Sequence, residues 1–157
     1  MTDMRLGDLA ESRARKQPSS IALVISKTGG RITYQQLAEL ADQCAVRLSA
    51  KGLSVGDVVG LRAANGVDYV VGLLGAARAG LVVVPLDPAL VPEEQQTRLR
   101  RTAARAVITD TPADPNSPEI RITVTASDGD PACDLNGEPG AITDPAAIGL
   151  TPSDALI

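Results

Sequence analysis

Val58-Val59-Gly60-Leu61, Leu81-Val82-Val83-Val84 and Ala106-Val107-Ile108-Thr109 are three short apolar runs, and the segments between them decide the fold. Val67 to Ala79 carries apolar residues at helical spacing. Asn65 stands where its side-chain oxygen would cap the helix, Asp68 falls near the positive end of the helix dipole, and Gly80 closes the element. The second run is apolar on both faces and bounded by Gly80 and Pro85, which predicts a strand in the middle of a parallel sheet. Pro92-Glu93-Glu94 opens another helix, because proline is tolerated in the first turn and acids favour the dipole there. Leu99 and Ala103 are its inward candidates, with Arg98, Arg100, Arg101 and Arg105 outside. Strand, helix, strand, helix, strand in this order makes a right-handed parallel layer, so the fold class is α/β.

Upstream, Arg5 to Lys16 reads as a helix with Leu6, Leu9 and Ala10 on one face, ended by Pro18. Ile21 to Ile25 and Arg31 to Thr33 read as a hairpin around Lys27-Thr28-Gly29-Gly30, whose glycines accept positive φ. Thr33-Tyr34-Gln35-Gln36 has the form of a capping box, in which the hydroxyl and the glutamine side chain satisfy each other's backbone amides. The helix it opens carries Leu37, Leu40, Ala41, Cys44 and Leu48 on one stripe and ends at Gly52.

Downstream of Asp110 the texture changes. Thr111 to Glu119 and Ala126 to Pro152 are rich in Pro, Asp, Gly and Ala, and between them Ile120 to Val124 alternates as a half-buried or edge strand would. The expected organisation is an α/β subdomain over residues 1–126 and a loop-rich tail over 127–157. Ala155-Leu156-Ile157 resembles the first residues of a strand, and the sequence stops there in mid-element.

Composition excludes several functions. The 157 residues include no His, so neither a Ser-His-Asp site nor a His-based zinc site can be assembled from this chain. A net charge of -4 gives no electrostatic reason to bind nucleic acid or an anionic membrane. No stretch approaches the ~18 apolar residues of a membrane span, and residues 1–15 lack a signal-peptide run, so a cytoplasmic protein is expected. With two Tyr, no Phe and no Trp, the core must be built from Val, Ile, Leu and Ala. Cys44 lies on a helix stripe and reads as a buried thiol; Cys133 sits in a Pro/Gly/Asp-rich segment and reads as exposed; a disulfide between them is an open alternative that their spacing does not support.

Four segments together resemble the opening of the adenylate-forming ligase superfamily, which includes acyl-coenzyme A synthetases, fatty acyl-AMP ligases, luciferases and peptide-synthetase adenylation domains. Ile32-Thr33-Tyr34-Gln35-Gln36-Leu37 is similar to an early family segment, and Val55-Gly56-Asp57-Val58 resembles its Gly-Asp strand entry. Asn65-Gly66-Val67-Asp68-Tyr69, followed by Arg78-Ala79-Gly80 and Pro85-Leu86-Asp87-Pro88, matches its helix-and-strand pattern, and Glu93 to Asp110 has its closing cadence. The resemblance implies the incomplete N-terminal subdomain of such a ligase. The parent would be an acyl-coenzyme A synthetase or acyl-AMP ligase acting on a fatty or small organic acid, with ATP, Mg and coenzyme A as its cofactors. The family's phosphate loop, nucleotide contacts and catalytic lysine lie beyond the segments matched here. No catalytic, cofactor-binding or metal-binding residue is therefore assigned, and the chain alone is expected to be inactive. The alternative is a non-catalytic α/β partner-binding module derived from the family; the coding sequence beyond codon 157 separates the two.

Other residues have plain readings beside functional ones. The Arg98, Arg100, Arg101 and Arg105 cluster suits either a phosphate-bearing ligand or, more simply, a solvated helix face. Asp87 and Asp110 stand at strand ends where α/β sheets bind ligands, or they cap the segments after them. Tyr34 and Tyr69 read as packing residues, and Asp114, Asp128, Asp130, Asp134 and Asp144 have no metal-ligand spacing. Lys27 to Gly30 lacks the Gly-Lys-Ser/Thr ending of a phosphate loop and reads as a turn. As a subdomain, the layer would leave an apolar face to be covered by the rest of the ligase or by a second copy.

Overall fold

A computed structural model describes residues 4–112, 117–125 and 131–140. The N-terminal helix begins as a 3-10 turn at Leu6–Asp8 and continues as α1 (Leu9–Lys16). Only Ala10 of the expected apolar face is buried; Leu6 and Leu9 are exposed. The contacts that secure this segment are largely polar. Arg78 bonds Glu11 at 2.6 Å and also engages Asp42, while Gly7 packs so closely on the Arg78 backbone that a Cβ would lie 2.7 Å from its Cα.

Strands β1 (Ile21–Val24) and β2 (Arg31–Thr33) pair antiparallel as expected, and Gly29 takes φ +71° in their turn. The capping box forms in full at the start of α2 (Tyr34–Ala50): the Gln36 amide donates to Thr33 Oγ1 at 3.2 Å, and the Thr33 amide donates to Gln36 Oε1 at 3.0 Å.

The main sheet contains β3 (Val58–Arg62), β4 (Val82–Pro85), β5 (Ala106–Thr109), β6 (Glu119–Thr125) and β7 (Ala132–Asn136), in the order β4-β3-β5-β6-β7. The first four are mutually parallel and β7 runs antiparallel to β6. α3 (Val67–Arg78) links β3 to β4, and α4 (Pro92–Arg101) links β4 to β5.

The structure corrects several expectations. The run Leu81–Val84 does not lie mid-sheet. Among the described residues β4 is a sheet edge, with Val82 52% exposed, whereas every residue of β5 is buried. A continuous apolar run marks a strand but not its place; that depends on α3 returning the chain to one side of β3 and α4 carrying it to the other. Ile120–Val124 keeps its half-buried alternation but lies inside the sheet, between β5 and β7. The expected loop tail contributes β7, which places Cys133 in the core instead of in an exposed loop. Ala103 is exposed with φ +53°, so it turns the chain out of α4, and Ala104 takes the buried place. Asn65 does not cap α3; Gly66 occupies that position in extended backbone with no side-chain bond. Asp114, Asp128, Asp130, Asp144 and Ala155–Ile157 lie outside the described residues.

The two faces of the sheet differ. On one, α2 and α3 pack over Val59, Leu61, Ala106, Ile108, Ile120, Ile122, Cys133 and Leu135 to form the main core. Full burial of a Leu or Ile side chain there contributes ~1.5–3 kcal/mol. Gly75 lets α2 and α3 meet: a Cβ on it would lie 2.4 Å from Cys44 Cβ. On the other face the only apolar cluster among the described buried residues is small: Leu86, Leu99, Ala104 and Val107. Gly60 makes room for it, since its Cβ would lie 2.6 Å from Leu99 Cδ2.

Candidate functional site

Strand parity sends Val58, Gly60 and Arg62 to the α4 side of β3, and Val107 and Thr109 to the same side of β5. In the β5–β6 register Val107 faces Glu119, so that carboxylate joins them. Arg62 Nη2 donates to Glu119 Oε1 at 2.7 Å, and its Nη1 donates to Gln95 Oε1 at 3.2 Å. Gln95 is buried on α4, and its Nε2 donates to the Leu90 carbonyl at 2.8 Å. Three separate elements thus meet in one polar network, whose ion pair is only 24% and 12% exposed at its two side chains.

A cleft of about 380 Å³ opens beside this network, lined by Arg62, Gln95, Thr109, Thr111, Ser117 and Glu119 together with apolar Leu90, Leu99 and Val107. Its origin is topological. Parallel neighbours are usually joined by a crossover of a dozen or more residues containing a helix. Here residues 110–118 join β5 to β6, a shorter stretch than that. A right-handed crossover from β5 to β6 runs on the same side as α4, since both steps move across the sheet in the same direction. The cleft occupies the place where such a helix would pack, at the carboxyl ends of β3 and β5.

The singled-out residues that fall within the described structure have definite places. Asp110 Oδ2 accepts from the Ala64 amide at 2.9 Å, tying the segment after β5 to the segment after β3 and forming one wall of the cleft. Asp87 caps its own turn, accepting from the Ala89 amide at 2.8 Å. The arginines form a solvated face: Arg98 pairs with Glu94 at 3.3 Å, Arg100 donates to Gln96, and Arg105 pairs with Asp57 at 2.7 Å. Tyr69 packs against the main core, and Tyr34 is half-buried. Asp134 pairs with Arg47 at 3.1 Å. Asp68, at the start of α3, accepts from the Val124 amide at 2.8 Å. Burial, and to a lesser extent the nearby Asp110, raise its carboxyl above the ordinary range despite that hydrogen bond.

The residues that build the cleft's polar floor carry weaker signals in the sequence and were not singled out. Gln95 lies four positions before Leu99, so it shares the inward stripe of α4, and a polar residue there is the signal that was available. Arg62 extends the apolar run of β3 by one residue, and Glu119 opens the alternation of β6.

The hairpin turn is no phosphate cradle. The amides of Thr28 and Gly29 donate to the Ile25 carbonyl, and that of Gly30 donates to Thr28 Oγ1, so all three are used within the turn. Among the described residues no three His, Cys, Asp or Glu side chains group to hold a metal ion.

Residues 10–153 match the family of AMP-binding enzymes. The chain belongs to that family. Among curated relatives, the long-chain-fatty-acid–CoA ligase FadD13 of Mycobacterium tuberculosis is 33% identical over 139 residues, which cover 88% of this chain and 25% of that protein. Tyrocidine synthase 3 of Brevibacillus parabrevis is 38% identical over 101 residues, covering 64% of this chain and 2% of its own length. Among solved structures, the N-terminal domain of FACL13 from Mycobacterium tuberculosis superimposes with a TM-score of 0.66 at 31% identity, over 73% of this chain and 32% of that one. The parallel sheet with its helices is thus shared with N-terminal domains of AMP-binding enzymes. This chain spans about a quarter of the length of the FadD13 relative. No helix among the described residues is long and apolar enough to cross a membrane.

Proposed function

We propose that this chain supplies the opening α/β layer of an ATP-dependent acid–thiol ligase, and that alone it is inactive. In that reaction a carboxylate, fatty or small organic, displaces pyrophosphate from ATP to form an acyl-adenylate. A thiol such as that of coenzyme A then displaces AMP to give the thioester. The observation that carries the reading is the match of residues 10–153 to AMP-binding enzymes. In this reading ATP, Mg and coenzyme A are held by parts of the ligase beyond this layer. FadD13 favours a fatty acid as the substrate. A cytoplasmic location goes with this reading, because ATP and coenzyme A are supplied there.

The contribution of this layer is scaffolding. Its sheet presents the cleft between α4 and β6 at the carboxyl ends of the strands, where α/β proteins receive ligands or neighbouring segments. Exposed Leu6, Leu9, Ile21 and Val24 are apolar surface for the rest of the ligase, or a second copy, to cover. The division at residue 126 between subdomain and tail is part of the same proposal.

Pyrophosphate exchange into ATP, measured across a panel of fatty and small organic acids, tests it. The isolated chain should give no exchange. The same chain, replacing the matching quarter of FadD13, should support it. Exchange by the purified chain alone, or a folded chimera without activity, would sink the reading.

A further inference from the structure

Cys44 and Cys133 are 89 positions apart, and both are fully buried and reduced. Cys44 sits on the inner face of α2 and Cys133 on β7, and both side chains lie in the same buried core cluster. The elements that carry them are held in register on either side. The Cys133 amide donates to Gln43 Oε1 at 3.0 Å, and Arg47, one helical turn beyond, pairs with Asp134 at 3.1 Å. Gly75 packs against Cys44 from the α3 side, where a Cβ would fall 2.5 Å from its Sγ, and this restricts where the thiol can move.

The geometry points to Cys44 and Cys133 as a disulfide-forming pair that links α2 to β7 within one chain. The oxidant is a small peroxide or a small-molecule disulfide. With hydrogen peroxide, one thiolate sulfur attacks an oxygen, the O–O bond breaks, and sulfenic acid and water result. The second thiol then attacks the sulfenic sulfur, the S–S bond forms, and a second water leaves. Two thiols lose two electrons and two protons to the peroxide, so atoms and electrons balance.

The two thiols titrate as a pair: the neighbouring Cys133 and then burial push Cys44 well above the ordinary thiol range. Access comes through β7, which among the described residues pairs in the sheet with β6 alone. An edge strand of five residues opens at lower cost than the strands inside the sheet. The bond closes a long loop and so restricts the unfolded chain strongly. It also prevents β7 from leaving α2. This inference does not depend on the proposed ligase activity.

The test uses the unmodified chain. After treatment of the folded protein with hydrogen peroxide or oxidised glutathione, intact mass should fall by two hydrogens. Tryptic mapping should join peptide 32–47 to the peptide beginning at Ile122. A non-reducing gel should show monomer, and Tm should rise by about 10 °C and return with dithiothreitol. Cys133→Ser and Cys44→Ser should each abolish the linked peptide. The proposal is overturned if the folded chain keeps both thiols under conditions that oxidise the urea-unfolded chain. It is equally overturned if oxidation yields only cross-linked dimers or adducts on single cysteines.

Discussion

Ile108 and Val107 are neighbours on β5, and they point into two different kinds of interior. Ile108 faces α2 and α3, where helices and strands interlock around a continuous apolar core. Val107 faces α4, where four buried apolar residues adjoin the Arg62–Gln95–Glu119 network and an open cleft. The first face is closed by crossover helices and close glycine contacts. Among the described residues the second is covered by α4, with the cleft open beside it. Among the described residues, close packing and an open cleft thus lie on opposite sides of one sheet.

The sharpest way to break this comparison is to truncate one side chain on each face. Ile108→Ala should cost about 4 kcal/mol in urea unfolding, because the surrounding core cannot collapse into the cavity. Leu99→Ala should cost about 2 kcal/mol, since one flank of Leu99 already borders the cleft and can relax or hydrate. Equal costs would mean that the α4 face is as tightly packed as the other.

A smaller effect probes the cleft floor. Glu119→Gln leaves Arg62 half-buried without its counter-charge and should cost about 1–2 kcal/mol. That loss should change little with added salt, because a pair this sheltered is weakly screened. A loss that vanished in high salt would show that the pair is exposed in solution.

The smallest effect concerns Asp68, on the better-packed side. Its carboxyl titrates above the usual range, so the folded chain takes up a proton before the unfolded chain does. Stability then falls as pH rises from the ordinary carboxylate value through the raised one, and the penalty is absent below both. Asp57 and Glu11 have the opposite sign: both are lowered, Asp57 first by its hydrogen bond from the Ser54 amide and Glu11 first by Arg15, so their contributions are lost on acidification. Wild type minus Asp68→Asn isolates the one group. The variant should be the more stable at neutral pH by under about 0.5 kcal/mol, the difference being small because Asp68 is partly solvated. The gap should close as pH is lowered. A gap that widened in acid would reverse the assignment.

Much of the fold was legible because its signals are local. The Thr33–Gln36 box spans four residues and forms as its spacing requires. Gly29 and Gly52 take the positive φ that their turns need. The candidate site was far less legible. Asp110 stands out as a strand-end residue and does line the cleft, but its partner is the Ala64 amide, not the segment after it. Asn65 has the form of a cap, yet the backbone at Gly66 begins α3 without it. Gln95 reads as one more polar residue on a charged helix until β3 is seen to place Arg62 beneath it.

By itself the sequence determined the helices, the turns, the alternation of strand and helix, and the likeness to adenylate-forming enzymes, since each depends on residues a few positions apart. Only the tertiary structure decided that β4 is an edge among the described residues, that Cys133 packs beside Gln43 in the core, and that Arg62 joins Gln95 and Glu119. Those contacts link residues 33, 57 and about 90 positions apart. Partners so distant are brought together by the direction in which each crossover carries the chain over the sheet, and no local periodicity encodes that direction.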